Sequence, residues 1–321
     1  MLDGFSLAKY RFFLVPEDRL CLHPDNPGNT LRGAFSLAFK RLVCSTPREC
    51  RARCQQKQTC PYGQLFEPSP PPDAEQLRRN ADIPRPFVYR PLDIEAQSRL
   101  MDPLRFDLIL MGKAMAMFPY FLVTFRELGE RGMGNARGRF RIRQVVQQHP
   151  LTHEGVEIYN GQDEIVRPHT LSLTYAECER KAHELAMQHI GRVTVRFHTP
   201  TCLKSEGAIV RQPAFHHLVK RVRDRINALA YFYAHQTLAL DFKHFGVRAE
   251  HVRTVRMAVQ WEDRSRRSWK TGHQHDMGGF IGEATYEGAI AEFLPLLLLG
   301  QYTHVGKYAV WGNGWYTVTV E

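Results

Sequence analysis

The sequence lacks an apolar run long enough to cross a membrane. Its longest strongly apolar block, residues 289–300, contains Glu292 and Pro295 and is shorter than the roughly 20 residues that a spanning helix needs. A secretory signal peptide is also missing, because charged side chains interrupt the first 22 residues at positions 3, 9, 11, 17 and 18. These absences predict a cytoplasmic protein with no membrane partner.

Acidic residues are too few to balance the basic ones. The 321 residues include 43 Lys and Arg against 33 Asp and Glu, which gives a formal net charge of +10. Lys and Arg gain free energy by displacing counterions from a phosphate backbone, so this excess favours a polyanionic partner such as nucleic acid. An anionic membrane surface is the competing explanation. The length is sufficient for two domains, each with a core of its own.

The seven cysteines are unevenly distributed, and four of them fall within seventeen residues. Their spacing is C-x5-C-x3-C-x5-C: Cys44, Cys50, Cys54 and Cys60. In a reducing compartment such a cluster is more often a metal site than a set of disulfides. We expect a structural zinc with four thiolate ligands. An iron–sulfur cluster uses the same ligands, and free thiols on a surface loop are the third interpretation.

Apolar spacing divides the chain into two halves with the same order of elements. The first half, residues 1–146, has the order strand, helix, strand, strand, helix, strand. The predicted elements are a strand at 10–15, a helix at 31–43 capped by Asn29 or Thr30, strands at 87–92 and 104–111, a helix at 114–128 and a strand at 138–146. A Cys-rich insert, residues 44–72, separates the first helix from the next strand.

The second half, residues 191–321, repeats this order after a connecting region, residues 147–190. Its predicted elements are a strand at 192–198, a helix at 213–234, strands at 252–261 and 280–286, a helix at 291–299 and a strand at 315–320. A β-α-β-β-α-β unit is the ferredoxin-like, or RRM-like, arrangement, in which two helices pack on one face of a four-stranded antiparallel sheet. The sequence therefore predicts an α+β protein with tandem ferredoxin-like domains.

A glycine-rich segment lies between the last helix and the last strand of each half. The terminal glycine loop, residues 304–316, and the first glycine loop, residues 129–138, both lead into a strand. Glycines let backbone amides approach an anion closely, although an ordinary tight turn has the same composition. The recurrence of the loop at the same place in each half favours phosphate binding. The expected contacts in the terminal loop are Gly306, Lys307, Gly312 and Gly314.

Other basic residues are also candidates for nucleic-acid contacts. Strand alternation after the first glycine loop places four arginines on one sheet face, opposite Phe140 and Ile142. These are Arg137, Arg139, Arg141 and Arg143. Residues 264–273 predict a basic hairpin tip with an indole that can stack on a base, although a solvated positive loop is the alternative. Its candidates are Arg264, Arg266, Arg267, Trp269, Lys270 and His273. Arg32, on the first helix but away from its apolar face, is a further candidate.

Several short stretches occur in the order expected for one family. They are residues 31–35, 60–67, 125–134, 197–200 and 278–286, together with the terminal glycine loop. With these motifs the chain resembles the CRISPR precursor-RNA processing endoribonucleases of the RAMP superfamily, in the form with a cysteine-bearing insert. The resemblance implies tandem ferredoxin-like domains, an RNA-binding glycine-rich loop near the C-terminus, and cleavage within CRISPR repeat RNA to release guide RNAs. Subunits of a CRISPR effector complex are further expected partners.

The reaction that the resemblance implies needs no metal or other cofactor at the scissile bond. A base removes the proton of a 2′-hydroxyl, the oxygen attacks the adjacent phosphorus, and an acid protonates the leaving 5′-oxygen. The products carry a 2′,3′-cyclic phosphate and a 5′-hydroxyl. Histidine is suited to both proton transfers, and a lysine can stabilise the charge of the phosphorane.

The candidate catalytic residues are His23, His304 and Lys307. The family's histidine usually lies around the first helix, which contains none here, so His23 in the turn upstream is the first candidate. His304 and Lys307 belong to the terminal glycine loop, where backbone amides could hold a phosphate. His273 and His275 are a third option. The departure at the first helix leaves a second hypothesis, a non-catalytic crRNA-binding subunit of an effector complex.

Overall fold

In the computed structural model of the protein, the described residues are 2–20, 22–23, 26–45, 54, 56–69, 83–92, 103–188, 191–267 and 274–321. The chain forms two compact units. The N-terminal unit comprises Phe5–Leu173 and Tyr231–His235, and the C-terminal unit comprises Met1–Gly4, Thr174–Ala230 and Gln236–Glu321. Each unit therefore includes a short segment that is separated in sequence from its main part.

The N-terminal unit is built on an antiparallel sheet. The elements of this part of the chain are β1 (Ser6–Pro16), α1 (Pro27–Val43), α2 (Pro61–Phe66), β2 (Phe87–Leu92), β3 (Leu104–Met111), α3 (Phe118–Arg131), β4 (Phe140–Gln148), β5 (Gly155–Asn160) and β6 (Leu173–Thr174). The strand order is β2-β3-β1-β4-β5, and β6 also pairs with β1. The order β2-β3-β1-β4, with α1 after β1 and α3 after β3, confirms the predicted ferredoxin-like arrangement.

Aromatic side chains fill the space between the two long helices and this sheet. Phe35 of α1 stacks on Phe121 of α3 with ring centroids 4.6 Å apart, and Phe125 of α3 lies 4.9 Å from Phe106 of β3. All four side chains are fully buried. Burial of a side chain of this size contributes about 1.5–3 kcal/mol, so these rings hold α1 and α3 on one face of the sheet.

The opposite face of β1 and β3 carries a buried cluster of charges. Asp107 is fully buried, and it accepts hydrogen bonds from Arg11 Nε at 2.7 Å and Arg90 Nη2 at 2.6 Å. Lys9, two residues before Arg11, is 4% exposed. Burial lowers the pKa of Lys9 to about 8; among the smaller effects, Asp107 raises it, while Arg90 and Arg11 lower it.

The first helix begins at Pro27, earlier than the predicted start at residue 31. Its cap is Asn26 rather than Asn29 or Thr30: the side-chain oxygen of Asn26 accepts a hydrogen bond from Asn29 N at 3.1 Å. Proline is favoured in the first helical turn because an amide proton there would lack an intrahelical partner. Pro27 therefore starts the helix instead of ending the preceding turn.

Proline also determines the start of α3. The predicted helix at 114–128 is divided into a short 3-10 segment, Gly112–Met117, and α3, Phe118–Arg131. Pro119 occupies the first turn of α3, where it is tolerated. The helix is therefore shifted towards the first glycine loop.

The C-terminal unit repeats the same topology. The elements of the rest of the chain are α4 (Tyr175–Ala186), β7 (Arg192–Thr201), β8 (Leu203–Ser205), β9 (Ala208–Val210), α5 (Phe215–Ala234), α6 (Phe242–Glu250), β10 (Arg253–Glu262), β11 (Ser265–Arg267), β12 (Gln274–Asp276), β13 (Gly279–Glu287), α7 (Leu294–Thr303) and β14 (Tyr316–Val320). The main sheet has the order β10-β13-β7-β14, which corresponds to β2-β3-β1-β4 in the N-terminal unit. The second predicted ferredoxin-like domain is confirmed.

The two faces of the C-terminal sheet differ in character. On the inner face, Tyr286 Oη donates to Pro213 O at 2.7 Å, and Tyr316 Oη donates to Leu297 O of α7 at 2.9 Å. Both tyrosines are fully buried. The alternate positions of β7 project from the other side, which we call the outer face. They are Arg192, Thr194, Arg196 and His198.

The most apolar of the described helices is α7. It spans ten residues, Leu294–Thr303, and its leucines are buried in the C-terminal unit. Within the described ranges, no helix combines the length and the apolar character that a membrane crossing requires.

Candidate nucleic-acid interface

The terminal glycine loop connects α7 to β14 and is hydrogen-bonded to itself and to the end of β7. Val305 N donates to Gly314 O at 3.0 Å, Lys307 N to Cys202 O at 3.0 Å, and Gly314 N to Pro200 O at 3.1 Å. These amides are already used within the protein. A phosphate that binds this loop through the backbone would therefore have to use other amides.

Close packing of the backbone explains the glycines of this loop. Gly314 has φ 71°, and a Cβ at this position would lie 1.8 Å from Val305 O. Gly306 has φ 80°, and its Cβ would lie 2.5 Å from Cys202 O. Gly312 also has a positive φ, 92°. Only glycine adopts such conformations in so little space, so the composition of the loop follows from its shape whether or not it contacts phosphate.

His304 lies at the start of the terminal glycine loop and is fully buried. Its Nδ1 is 3.0 Å from Asn313 O, and because a carbonyl oxygen can only accept, the ring nitrogen is the donor. The bond joins the two ends of the loop. A ribose at the surface cannot reach this ring in the present conformation, so the geometry suits His304 to shaping the loop rather than to contact with RNA.

Among residues 304–314, Lys307 is exposed and the others are buried or half-buried. The turn beside it is held by Tyr308, which stacks on Trp311 with ring centroids 5.1 Å apart. The hydroxyl of Tyr308 donates to Asp276 O at 2.8 Å. The terminal glycine loop therefore presents one positive charge to solvent from a fixed backbone.

The first glycine loop is the tight end of a hairpin. Met133 and Gly138 exchange backbone hydrogen bonds of 2.9 and 3.1 Å. A Cβ at Gly132 would lie 2.0 Å from Arg137 O, and one at Gly138 would lie 2.2 Å from Arg19 O. Backbone packing again explains the glycines, and Arg137 is exposed at the turn.

Two of the four arginines in and after this loop lie where strand alternation predicts. Arg141 is 77% exposed and Arg143 is exposed, whereas Phe140 and Ile142 are buried on the opposite side of β4. The predicted placement is therefore confirmed for Arg141 and Arg143. Arg137 instead lies in the turn, with φ 49°, and Arg139 directly precedes β4, because the strand begins only at Phe140. Contact of these arginines with RNA stays a prediction.

Two acidic residues after β1 partly neutralise this row of arginines. Asp18 Oδ2 lies 2.7 Å from Arg139 Nε, and Glu17 Oε1 lies 2.7 Å from Arg141 Nε. The hydrogen bond from Arg139 lowers the pKa of Asp18. Exposed ion pairs contribute at most about 1 kcal/mol, so a phosphate can compete with either carboxylate. The sequence did not indicate these pairs.

His23 and Arg32 have different surroundings near the start of α1. His23 is exposed; its amide donates to Thr30 Oγ1 at 3.2 Å, and its carbonyl accepts from Asn26 N at 3.2 Å. It is thus held just outside the N-terminus of α1, whose partial positive charge favours an anion. The guanidinium of Arg32 lies 5.5 Å from the centroid of the Phe66 ring. Arg32 therefore packs against α2, which makes it a poorer phosphate contact than the sequence suggests.

The basic segment 264–273 is described in part. The antiparallel pairing of β11 and β12 includes the backbones of Arg266 and Arg267, which confirms the predicted hairpin. Arg264 Nη2 is 2.7 Å from Glu262 Oε2, so its charge is partly balanced. His275 lies on β12, opposite Arg266. Outside the described residues lie Trp269, Lys270 and His273.

Three of the clustered cysteines, Cys44, Cys54 and Cys60, line one cavity of about 210 Å³. None of these three is in a disulfide. Cys50 lies outside the described residues. Within the part of the chain that the structure describes, no group of three or more His, Cys, Asp or Glu side chains is arranged to hold an ion. The described residues therefore do not form a complete zinc site.

The outer face of the C-terminal sheet brings together two residues that the sequence does not connect. His198 of β7 and Trp315, directly before β14, stack with ring centroids 4.4 Å apart. His198 occupies an outward position of its strand, and Trp315 follows the last glycine of the terminal loop. Their contact depends on the pairing of β7 with β14, which no local sequence pattern indicates.

Two family models match the chain. Residues 5–171 match the model of an N-terminal domain, and residues 195–316 match the model described as the CRISPR-associated endoribonuclease Cas6. The chain therefore carries a Cas6 endoribonuclease domain. It is a CRISPR-associated endoribonuclease of the type that processes precursor CRISPR RNA. The match to an endoribonuclease family does not favour the second hypothesis, a non-catalytic crRNA-binding subunit.

Solved Cas6 structures have a similar fold. Thermus thermophilus Cas6 is 16% identical, with a TM-score of 0.53 over 98% of this chain and 99% of that chain. The product complex of the same Cas6 has a TM-score of 0.54 at the same identity and coverage. A partial Cas6-RT-Cas1–Cas2 complex has a TM-score of 0.58 at 13% identity, over 100% of this chain and 47% of that chain. At such identities the similarity shows the fold alone. No curated protein matches the chain.

Proposed function

We propose that this Cas6 protein cuts CRISPR repeat RNA by attack of a 2′-hydroxyl on the adjacent phosphorus, with no metal ion at the scissile bond. The match of residues 195–316 to an endoribonuclease family carries the proposal. A bond forms between the 2′-oxygen and phosphorus, and the bond between phosphorus and the 5′-oxygen breaks. The 2′-hydroxyl proton goes to a base, and the leaving oxygen receives a proton from an acid. The released guide RNAs carry a 2′,3′-cyclic phosphate and a 5′-hydroxyl.

His23 is our candidate for the proton transfer. Its side chain is exposed, while its backbone is held by hydrogen bonds to Thr30 and Asn26. A histidine in a fixed position can exchange protons near neutral pH. The N-terminus of α1 beside it favours the negative charge of the scissile phosphate.

Lys307 is our candidate for stabilising the phosphorane. It is exposed on a turn whose backbone is fixed by the bond from Lys307 N to Cys202 O. A positive charge on a preorganised loop stabilises developing negative charge without rearrangement. His304 then acts as a positioning residue, because its bond to Asn313 holds the loop that presents Lys307. Gly306, Gly312 and Gly314 support RNA binding through the shape of this loop.

The row of arginines after the first glycine loop is our candidate for binding the RNA backbone. Arg137 and Arg143 are exposed, and Arg139 and Arg141 have exposed carboxylate partners that a phosphate can replace. Arg141 and Arg143 are consecutive exposed positions of β4, and such positions lie about 7 Å apart, similar to the spacing of phosphates along a single strand. Contacts of this kind are independent of sequence and weaken as the salt concentration rises.

Incubation of the protein with a repeat-containing transcript in EDTA tests the reaction. We expect one cut in each repeat, with a cyclic phosphate on one end and a 5′-hydroxyl on the other. Tight binding without a cut would contradict the proposal and would support a non-catalytic subunit. Cleavage only after addition of a divalent metal would contradict the metal-independent mechanism.

A variant of His23 tests the assignment of roles. His23→Ala should slow cleavage by about 100-fold or more, the usual loss for a general base or acid, while RNA affinity stays near the parental value. His251→Ala, an exposed histidine directly after α6, is the matched control and should cut at the parental rate. Parental cleavage by His23→Ala would remove His23 from the mechanism.

We also propose that the cysteine cluster holds a structural zinc ion. The support is the four-cysteine spacing and the cavity that Cys44, Cys54 and Cys60 share. Thiolates are the usual ligands of structural zinc, which stabilises a segment with little core of its own. Elemental analysis should find about one zinc per chain in the parent and none in a Cys54→Ser, Cys60→Ser protein. A parent protein without zinc, with thiols that react readily, would refute this site. Bound iron with a visible absorbance band would identify a cluster instead.

The partners follow from the proposed reaction. Repeat RNA is the substrate, and other CRISPR proteins are the protein partners we propose, because one solved relative is a Cas6-RT-Cas1–Cas2 complex. The tandem ferredoxin-like fold also supports a place in the RAMP superfamily. We propose a cytoplasmic location, where the transcripts are. Purification of the tagged protein from its own cells should recover repeat-derived RNA; recovery of unrelated RNA in equal amounts would contradict the proposal.

A further inference from the structure

The outer face of the C-terminal sheet carries a preorganised aromatic pair. The His198 and Trp315 rings stack with centroids 4.4 Å apart and planes 26° from parallel. Strand pairing fixes their backbones, because His198 N donates to Trp315 O at 2.9 Å and Trp315 N donates to Thr199 Oγ1 at 2.9 Å. The His198 ring is oriented by its Nε2, which lies 2.8 Å from Thr317 Oγ1. The pair is therefore rigid before any ligand arrives.

The two stacked rings differ in their exposure to solvent. Trp315 is half-buried, whereas His198 is exposed. A flat ring that packs on His198 would extend the Trp315–His198 stack by a further layer. Every nucleobase has a flat π-face, so stacking of this kind accepts any base. Aliphatic side chains lack such a face and would gain less from the same surface.

Arg196 supplies a positive charge beside this stack. It precedes His198 by two residues and therefore projects from the same side of the sheet. Its side chain is 65% exposed. The distance from Arg196 Nη1 to Glu283 Oε1 is 3.8 Å, which is long for an ion pair. Arg192, further along the strand, pairs more closely with Glu287, at 3.0 Å. Arg196 is thus well placed to bind the phosphate of a nucleotide that stacks on His198.

We propose that His198 and Trp315 stack one unpaired nucleobase of single-stranded RNA and that Arg196 binds a neighbouring phosphate. The ligand is single-stranded because the bases of a duplex already stack on one another and do not offer their faces. The net charge of +10 and the arginine next to the stack favour RNA as the occupant. This site deepens the proposed function and rests on its RNA substrate, but it requires no proton transfer by His198.

The test measures equilibrium binding of a fluorescein-labelled, single-stranded RNA by fluorescence anisotropy, in EDTA and with a 2′-deoxy nucleotide at any cleavable position. His198→Leu keeps apolar bulk but removes the π-face, and it should weaken binding by about 5- to 150-fold, the range for loss of one stacked base. His198→Phe keeps the π-face and should bind like the parent. Arg196→Gln should weaken binding and reduce its salt dependence. His251→Leu, an exposed histidine outside the stack, should have no effect.

A second readout uses the indole itself. Quenching of tryptophan fluorescence on RNA addition should be reduced in Trp315→Phe and retained in Trp261→Phe, since Trp261 is on β10 and packs under Arg211 instead. Far-UV circular dichroism establishes that both variants are folded; if Trp315→Phe is not, quenching of the parent and of folded His198→Leu is compared instead.

The outcomes separate this site from the reaction. RNA affinity of His198→Leu equal to that of the parent would overturn the proposal and leave the outer face to a protein ligand. Equal losses for His198→Leu and His198→Phe would also overturn it, because a stacking role requires rescue by the phenyl ring. Failure of the parent to cleave RNA would refute the proposed reaction without changing this binding comparison.

Discussion

Gly314→Ala should destabilise the C-terminal unit by more than backbone strain alone. Gly314 has φ 71°, and an added Cβ would lie 1.8 Å from Val305 O. The left-handed conformation costs a residue with a Cβ about 1–2 kcal/mol. Relief of the collision requires the ends of the terminal glycine loop to separate. That movement weakens the bonds Val305 N to Gly314 O and Gly314 N to Pro200 O, each worth about 0.5–1.5 kcal/mol. The expected loss is about 2–5 kcal/mol in the free energy of unfolding.

Two other glycines provide matched controls for this substitution. Gly207 has φ 83°, but an added Cβ would meet no atom within 4 Å. Gly207→Ala therefore carries strain without collision, and we expect a loss of about 1 kcal/mol, because lower entropy of the unfolded chain offsets part of the strain. Gly33 lies in α1 with equally open surroundings. Gly33→Ala should stabilise the N-terminal unit by about 0.5–1 kcal/mol, since alanine favours the helix.

Urea unfolding followed by circular dichroism measures the series. Stability should decrease in the order Gly33→Ala, parent, Gly207→Ala, Gly314→Ala. Equal losses for Gly207→Ala and Gly314→Ala would refute the collision argument. Parental stability of Gly314→Ala would refute the loop geometry itself. Because this loop presents Lys307, Gly314→Ala should also cut RNA more slowly at temperatures where it stays folded, whereas Gly207→Ala should not.

Two further perturbations test the placement of charge. The pKa of Lys9 is about 8 in the folded protein against 10.5 for an exposed lysine, so at this residue the unfolded chain binds more protons in this interval, and the contribution of Lys9 to stability should rise with pH from about 8 to 10.5. Lys9→Met should remove that contribution, which amounts to at most about 3 kcal/mol; the same pH slope of stability in Lys9→Met and in the parent would contradict the pKa shift. Glu17→Gln with Asp18→Asn leaves Arg139 and Arg141 without their carboxylates, so RNA affinity should increase and depend more steeply on KCl. Anisotropy titrations that match the parent at every salt concentration would exclude these arginines from RNA binding.

The order of the elements could be predicted because strands and helices differ in apolar period. Apolar residues, Phe35 among them, occur at helical spacing along α1, and the arginines of β4 alternate with Phe140 and Ile142. The start of α1 could not be predicted in the same way. The segment around Pro27 is rich in turn residues, and only the hydrogen bond that Asn29 N donates to the Asn26 side chain shows that the proline opens a helix.

The glycine loops show how composition can indicate a functional region without giving its geometry. Spaced glycines predicted amides that cradle a phosphate. In the structure, Gly306 and Gly314 are needed because the carbonyls of Cys202 and Val305 occupy the space of a side chain. The position of His304 beside the loop made it a candidate for proton transfer. Its side chain is buried by the packing of the loop, so we assign it a positioning role instead.

Contacts between strands that are distant in sequence could not be predicted from the sequence patterns. Asp18 meets Arg139 because β1 pairs with β4, and His198 meets Trp315 because β7 pairs with β14. Each partner belongs to a pattern of its own strand or loop, and those patterns carry no information about which strands are neighbours. The proposed nucleobase site therefore became visible only with the sheet.

The two ferredoxin-like repeats cannot be exchanged between proteins as continuous segments of sequence. Tyr231–His235, from the end of α5, belongs to the N-terminal unit, where Tyr233 O would lie 2.3 Å from a Cβ at Gly112. Met1–Gly4 belongs to the C-terminal unit, where Gly4 N donates to Gln236 Oε1 at 2.9 Å. A chimaera that joins two relatives at residue 174 would place the α5 end of one parent against the 3-10 segment of the other. Functional exchange of repeats between Cas6 proteins would thus require both short segments to move with their own unit.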